Sequence, residues 1–419
     1  MRDAFERAII ENPDDRASYS AYADWLQEQG DPHGEFIAVQ LALEDESRPK
    51  VARDALKVRE AELLAAHERE WLGELAAFVF EENTERRTPA GYVEDYSTGT
   101  KALWERGVLS GLAIDRMSTA LAHTLVDSPA ARFVWQLHLH GTMSGYYGGS
   151  AEEPRRVKTP NGVREHSELF ELIGSTFLAN LRVFRFGDEE AEPPEDGWCD
   201  CHSYLRGLEH FIASASRIQE LHLLCKGYDL KTAFALPNLS NLRVLRAYHM
   251  NGSGGQRHED GYEYPLKELA KNPALANLTH LQFHPHFAED GDEGEERSYL
   301  PLDQITQLVR SPYLKKLTHL QLRLSDMGDD GIRAFIASGI LKQLLWLDLR
   351  HGCVTDEGAR LLAACPDAKR LERIDLSRNA VTADGLAALR TAGVNAVANS
   401  PLTQQELDDR QYLREGDFE

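Results

Sequence analysis

The chain has 419 residues, of which 42% are hydrophobic and 27% charged, and its formal net charge is -22 with neutral histidines. This length exceeds what one hydrophobic core commonly supports, so two folded domains or an elongated repeat array are expected, and the composition excludes a wholly disordered chain. The acidic balance argues against general binding to nucleic acid, which requires a broad positive surface.

The first thirty residues lack the uninterrupted apolar segment of a signal peptide. The longest apolar runs, such as residues 75–80, fall far short of the roughly 18 residues that a membrane-spanning helix needs. Five cysteines are spread along the chain, unlike the dense even set of a secreted, disulfide-linked domain. We therefore expect a cytoplasmic protein with reduced thiols and no membrane segment.

The N-terminal part shows helical spacing of apolar residues. Helices are predicted at 2–12, 16–29 and 34–45, because Pro13 and Gly30 interrupt the pattern. A longer amphipathic segment follows from Pro49 to Phe80. The sequence thus predicts an all-α domain over residues 1–80, and a polar linker over 81–105.

Beyond the linker, an apolar pattern of the form LxxLxxLxL recurs. Its seventh position is occupied by Leu112, Leu137, Phe184, Leu221, Leu245, Leu281, Leu320, Leu347 and Ile374. The shortest intervals between these anchors are 24 to 27 residues, so we expect a repeat of that length with insertions in several copies.

The clearest copies are Leu341–Cys365 and Ala368–Gly393, and each reads as a strand, a turn and a helix. Thr355 and Thr382 are placed to cap the two helices. One such unit leaves an apolar face uncovered, and only stacking against its neighbours buries that face. We therefore predict a solenoid with parallel strands over residues 106–400 and an acidic tail over 401–419.

Two segments resemble known families. DLSRNAVTADGLAAL, within the second clear copy, resembles the ribonuclease-inhibitor type of leucine-rich repeat. That resemblance implies an α/β horseshoe with parallel strands inside and helices outside. The family's strand-end asparagine is present as Asn379, but Gly352 and Ser325 occupy the equivalent positions. We therefore expect an incomplete asparagine ladder.

The second resemblance lies near the N-terminus. YADWLQEQGDPHGEFIAVQLAL, residues 22–43, resembles the bacterial repeat-companion domain, a short module found ahead of such arrays. It implies a bacterial intracellular protein from a family with no assigned activity.

Side chains alternate along a strand, so the residues that alternate with the inward-facing apolar ones point onto the concave face. Unlike the average surface of this acidic chain, that face is rich in arginine, histidine and aromatic residues. The predicted partner-binding residues are His138, His140, Arg185, His222, Arg246, Tyr248, His284, Arg323, Trp346, Arg350 and Arg373. Arginine and aromatic side chains often anchor protein interfaces, so we expect a protein partner, and an acidic one. The alternative is that these are simply solvated strand positions.

Insertions after several strands should project from one rim of the array. Two are strongly acidic, at 187–197 and 288–299, and a third spans 145–158. They are interpreted either as a partner-specific lip or as solvated loops.

Histidine columns suggest a metal site, through His138 with His222 or His280 with His319. WCDCH, residues 198–202, adds two cysteines and a histidine but lacks the spacing of a zinc site. We expect no metal and no cofactor, and no catalytic motif is present. The sequence thus predicts a non-enzymatic recognition or adaptor module, the alternatives being a hydrolase or transferase that uses the concave histidines, and a structural subunit of a larger complex.

Overall fold

The computed structural model describes residues 1–80, 99–142, 168–187, 207–224, 230–250, 266–286 and 299–409, and the backbone of 86–87, 93–94, 156–159 and 162–165. The chain forms two compact units. The first comprises Met1–Tyr146, Ala151–Phe184 and Ser214–Arg217. The second comprises Tyr147–Ser150, Arg185–Ala213 and Ile218–Glu419. The predicted division at 1–80, 81–105 and 106–400 stays a prediction.

Helices alone form the N-terminal part of the first unit, as predicted. They are α1 (Arg2–Glu11), α2 (Arg16–Glu28), α3 (Pro32–Leu43), α4 (Lys50–Leu72) and α5 (Ala76–Phe80). Helix α3 begins two residues before the predicted start at Gly34. The Asp31 carboxylate accepts a hydrogen bond from the backbone N–H of His33 at 3.0 Å, and proline fits the first turn of a helix because it needs no intrahelical donor there.

Two short antiparallel pairs and four strands of the main sheet follow, and the last of these strands is divided between the two units after Phe184. The strands are β1 (Arg86–Arg87), β2 (Val93–Glu94), β3 (Lys101–Glu105), β4 (Val108–Ile114), β5 (Gln136–Leu139), β6 (Arg156–Thr159), β7 (Gly162–Glu165) and β8 (Val183–Phe186). The helices are α6 (Thr119–Asp127) and α7 (Glu168–Leu172). Strand β3, within the segment predicted as a linker, pairs antiparallel with β4, and β4 pairs parallel with β5.

Strands β6 and β7 follow β5 and are not part of the main sheet. They form an antiparallel pair. Only two residues separate them in the sequence, and a parallel connection needs a crossover of a dozen residues or more. The insertion therefore makes its own hairpin.

The helices of the first unit share a core with the first repeat. Ile37 of α3 and Val108 of β4 are buried in one apolar cluster with Tyr22 and Leu26 of α2. The side-chain Oε1 of Gln40 accepts a hydrogen bond from the backbone N–H of Gly107 at 2.6 Å. Packing of this cluster, rather than helix propensity alone, stabilises the short N-terminal helices.

Strands and helices alternate in the second unit. Its strands are β9 (Glu220–Leu224), β10 (Val244–Met250), β11 (His280–His286), β12 (His319–Leu322), β13 (Trp346–Asp348), β14 (Arg373–Asp375) and β15 (Ala396–Val397). Its helices are α8 (Leu208–Ser214), α9 (Leu230–Phe234), α10 (Leu266–Lys271), α11 (Leu302–Val309), α12 (Gly328–Ser338), α13 (Asp356–Ala364), α14 (Ala383–Thr391) and α15 (Gln404–Asp409). Strands β9 to β15 pair in parallel and in chain order.

The nine predicted anchors are confirmed. Each lies in one of the strands β4, β5 and β8–β14 and is at most 2% exposed. The main sheet has eleven strands, because β3 and β15 add to those that carry anchors. The predicted α/β leucine-rich-repeat solenoid with an all-helical N-terminus is therefore the observed architecture.

Side-chain hydrogen bonds from two threonines and one asparagine satisfy backbone groups in the last repeats. The hydroxyls of Thr355 and Thr382 accept the backbone N–H groups of Glu357 and Asp384, both at 3.2 Å, so the predicted caps are confirmed. Asn379 accepts two backbone N–H groups and donates to three carbonyls, the nearest at 2.8 Å.

The asparagine ladder is incomplete, as predicted, because glycine and serine occupy the positions equivalent to Asn379 in the two preceding repeats. The equivalent Ser325 is fully buried, and its hydroxyl has no hydrogen-bond partner among the described residues. A serine side chain is too short to span two backbone segments in the way that asparagine does.

Candidate partner-binding surface

Alternation along the parallel strands of the second unit creates one polar layer, here called the sheet face. Its members are the residues that come directly before and directly after the buried anchor of each strand. The first row in register contains His280, His319, Trp346 and Arg373, on β11 to β14. The next contains His222, Arg246, Gln282, Gln321, Asp348 and Asp375. Strand pairing brings these residues together although many lie more than two dozen positions apart.

Three rings of the first row form a continuous ladder. The imidazoles of His280 and His319 are stacked, with centroids 4.1 Å apart and planes inclined by 13°. The Trp346 indole meets His319 edge-on at 6.1 Å and 71°. Arg373 occupies the next register position, and its side chain is 53% exposed. This row offers an aromatic strip that ends in an accessible cation.

A threonine hydroxyl lies beside Nδ1 of each stacked histidine. The Thr279 hydroxyl donates to the carbonyl of Arg243 at 3.0 Å and lies 2.9 Å from Nδ1 of His280. Thr318 lies at the same 2.9 Å distance from Nδ1 of His319. These contacts orient both imidazole rings on the sheet face.

Both stacked histidines favour the neutral form. Burial lowers the pKa of His280, and the charges of His319 and Arg246 lower it further. Burial also lowers the pKa of His319. In the described part of the chain, the group that lies beside Nδ1 of each ring is a hydroxyl and not a carboxylate.

Two of the predicted binding arginines, Arg323 and Arg350, form ion pairs with a buried aspartate. Arg323 Nε lies 3.1 Å from Oδ2 of Asp348, and Arg350 Nη2 lies 3.0 Å from the same oxygen. The Asp348 side chain is 1% exposed, that of Arg323 10% and that of Arg350 24%. Reversing both arginines to glutamate is therefore expected to destabilise the fold. Three carboxylates would then share a site from which water is nearly excluded.

Two other arginines of the sheet face, Arg185 and Arg373, form ion pairs at the surface. Arg373 pairs with Asp375 at 3.0 Å, and Arg185 lies 3.9 Å from Glu220. His222 lies 3.3 Å from Glu220, and this hydrogen bond lowers the pKa of the glutamate. Arg185 and Arg373 each keep about half of their side chain exposed, at 47% and 53%. They are accessible to a partner.

Outward orientation does not make every predicted residue accessible. His222 and His284 are buried, at 8% and 1% exposure, since adjacent strands lie only about 4.8 Å apart and their side chains pack on one another. Arg246 and Trp346 are partly exposed. The side chain of Tyr248 lies outside the described residues.

The remaining predicted residues, His138 and His140, belong to the first unit. Both lie at or next to the end of β5 and are partly exposed. His140 Nδ1 lies 3.7 Å from the Asp115 carboxylate. His140 is thus partly exposed beside an acidic residue. Its role in binding stays a prediction.

His280 and His319 were omitted from the predicted binding set, although they complete the ladder with Trp346. Their position before each anchor leucine is visible in the sequence, but the ring stacking depends on the register between strands. The acidic insertions and WCDCH lie outside the described residues. Within the described ranges, no group of three or more His, Cys, Asp or Glu side chains is arranged to hold a metal ion.

A family model supports the leucine-rich repeats within residues 313–389. The Leucine Rich repeat family matches in three copies, at residues 313–335, 344–363 and 370–389. No curated protein matches the chain. One solved structure, of a protein from Bacteroides fragilis, is similar with 18% identity, 69% coverage of this chain, 73% of that chain and a TM-score of 0.44. Leucine-rich repeats are generally protein-interaction modules.

None of the helices in the described ranges combines the length and apolar character needed to cross a membrane.

Proposed function

We propose that this chain is a non-enzymatic recognition module that binds a protein partner through the accessible part of its sheet face. The supporting observation is the row formed by His280, His319, Trp346 and Arg373 across four hydrogen-bonded strands. Tryptophan and arginine are the side chains that most often dominate binding energy, and here a rigid sheet holds them side by side.

An acidic partner fits the charges of this surface best. Arg185 and Arg373 are half-exposed, and Arg246 is partly exposed. The stacked histidines carry no formal charge in their favoured state but become cationic on protonation. Attraction of a carboxylate-bearing partner would therefore increase as the pH falls below neutrality, provided that the fold persists.

The test is affinity capture from the native host with the full chain as bait, followed by mass spectrometry. The variant W346A/R373E should lose the captured partner, and for the wild type the affinity should fall as salt is raised. The matched control is R360E on α13, where the side chain is 62% exposed and carries the same charge change away from the strands. Equal capture by W346A/R373E and R360E, at equal melting temperatures, would exclude the sheet face.

A further inference from the structure

A second charged surface lies where the chain enters the last three full strands. The strand-entry edge is defined as residues 313–318, 340–345 and 367–372, the segments that immediately precede β12, β13 and β14. It contains five cations, Lys315, Lys316, Lys342, Lys369 and Arg370, all exposed. The same segments contain two carboxylates, Asp367 and Glu372, so their formal charge is five minus two, or +3, in a chain of -22.

Local packing forces these cations outward. In the first segment Leu314 and Leu317 are 2% and 0% exposed, and the two lysines lie between them. The next segment repeats this arrangement, with Leu341 and Leu344 each 1% exposed on either side of Lys342. The flanking leucines are buried between repeats, and the lysines that they bracket face solvent.

Backbone hydrogen bonds hold neighbouring segments side by side. The N–H of Leu345 donates to the carbonyl of Thr318 at 2.8 Å, and the N–H of Glu372 donates to the carbonyl of Leu345 at 2.8 Å. Lys315, Lys342 and Lys369 each lie four residues before the register partners His319, Trp346 and Arg373. Equivalent cations therefore stand on adjacent segments.

Two acidic residues of these repeats, Asp329 and Asp356, have structural roles at the opposite ends of the strands. Asp329 accepts the backbone N–H of Thr355 at 2.9 Å and its hydroxyl at 2.7 Å, and Asp356 does the same for Thr382 at 2.8 Å and 2.7 Å. Lys342 and Lys369, by contrast, form no ion pair with the described residues. No ion pair within the described residues therefore accounts for their charge.

Apolar side chains lie on the same edge. Tyr313 and Leu345 are 36% and 38% exposed, and they are the only large apolar side chains of the second unit exposed to this extent among the described residues. Exposed apolar groups beside unpaired cations are typical of protein-binding surfaces. A nucleic acid would instead require stacking platforms, and Tyr313 is the single aromatic residue in these three segments.

We propose that the strand-entry edge docks an acidic protein segment that also carries apolar side chains. Carboxylates would meet the row of cations, and the apolar side chains would cover Tyr313 and Leu345. This surface differs from the sheet face, and the proposal does not depend on the function proposed above.

The test uses the full chain and a fluorescein-labelled synthetic peptide of alternating glutamate and leucine, with fluorescence anisotropy as the readout. The variant K315E/K342E/K369E should bind this peptide about tenfold more weakly at low ionic strength. The matched control K57E/K101E/K231E reverses three exposed lysines elsewhere and should stay within about twofold of wild type. L345S should weaken binding of this peptide and leave binding of a polyglutamate peptide unchanged.

Several results would overturn the proposal. They are no binding of the peptide, equal weakening by both triple variants, and tighter edge-dependent binding of a single-stranded oligonucleotide. Salt-sensitive self-association that the edge variant abolishes would indicate a second copy as the occupant and would overturn it as well. K315Q/K342Q/K369Q replaces the reversal if the latter changes the melting temperature. W346A/R373E should bind the peptide normally, which separates this surface from the sheet face.

Discussion

Removing the charge of Asp348 tests how the last repeats are held together. Asp348→Asn preserves the shape of the side chain but leaves two arginines without their shared anion. The Asp348 side chain is 1% exposed, and Oδ2 lies 3.1 Å from Arg323 Nε and 3.0 Å from Arg350 Nη2. Breaking a buried ion pair from one side costs about 3–5 kcal/mol, so the free energy of unfolding should fall by about that amount.

The assay is urea unfolding followed by circular dichroism at constant salt. Asp330→Asn is the control, because Asp330 is 75% exposed and pairs with Arg333 at 2.9 Å on the surface. Exposed pairs contribute about 0–1 kcal/mol. If Asp348→Asn and Asp330→Asn unfold within about 1 kcal/mol of each other, the buried network does not stabilise the array as reasoned here.

Three further outcomes follow from the buried layers. Asn379→Ala should destabilise by at least about 2 kcal/mol in urea unfolding, since it leaves two buried N–H donors unsatisfied at about 1–3 kcal/mol each; an unchanged midpoint would contradict this. Leu347→Ala and Leu320→Ala, both at 0% exposed positions, should each cost about 2–5 kcal/mol, and wild-type-like unfolding of both would refute the register. Lowered pKa values at His280 and His319 mean that the unfolded chain binds protons more readily. Their contribution to stability is complete above the ordinary value of 6.5 and is lost as pH falls through the lowered folded-state values. Replacing both with glutamine should therefore flatten the acid-side decline in melting temperature, and an identical decline would count against this assignment.

Part of the partner-binding set was predictable and part was not. The alternation of each strand placed Arg373 and Trp346 on the polar side, because that direction depends only on the neighbouring apolar residues in the same strand. How much of each side chain stays exposed depends on adjacent strands. Arg323 belongs to the repeat before Asp348, and only the pairing of β12 with β13 brings the two together.

The sequence by itself determined the elements whose causes are local. The apolar spacing specified nine strands, Thr355 and Thr382 specified two helix starts, and the absence of an asparagine at Ser325 specified the incomplete ladder. Only the tertiary structure decided which charged residues are buried, that His280 and His319 stack at 4.1 Å, and that the helices share a core with the first repeat. Burial and ring stacking depend on neighbouring side chains that other repeats contribute. The distances between those side chains in space do not follow from their separation along the chain.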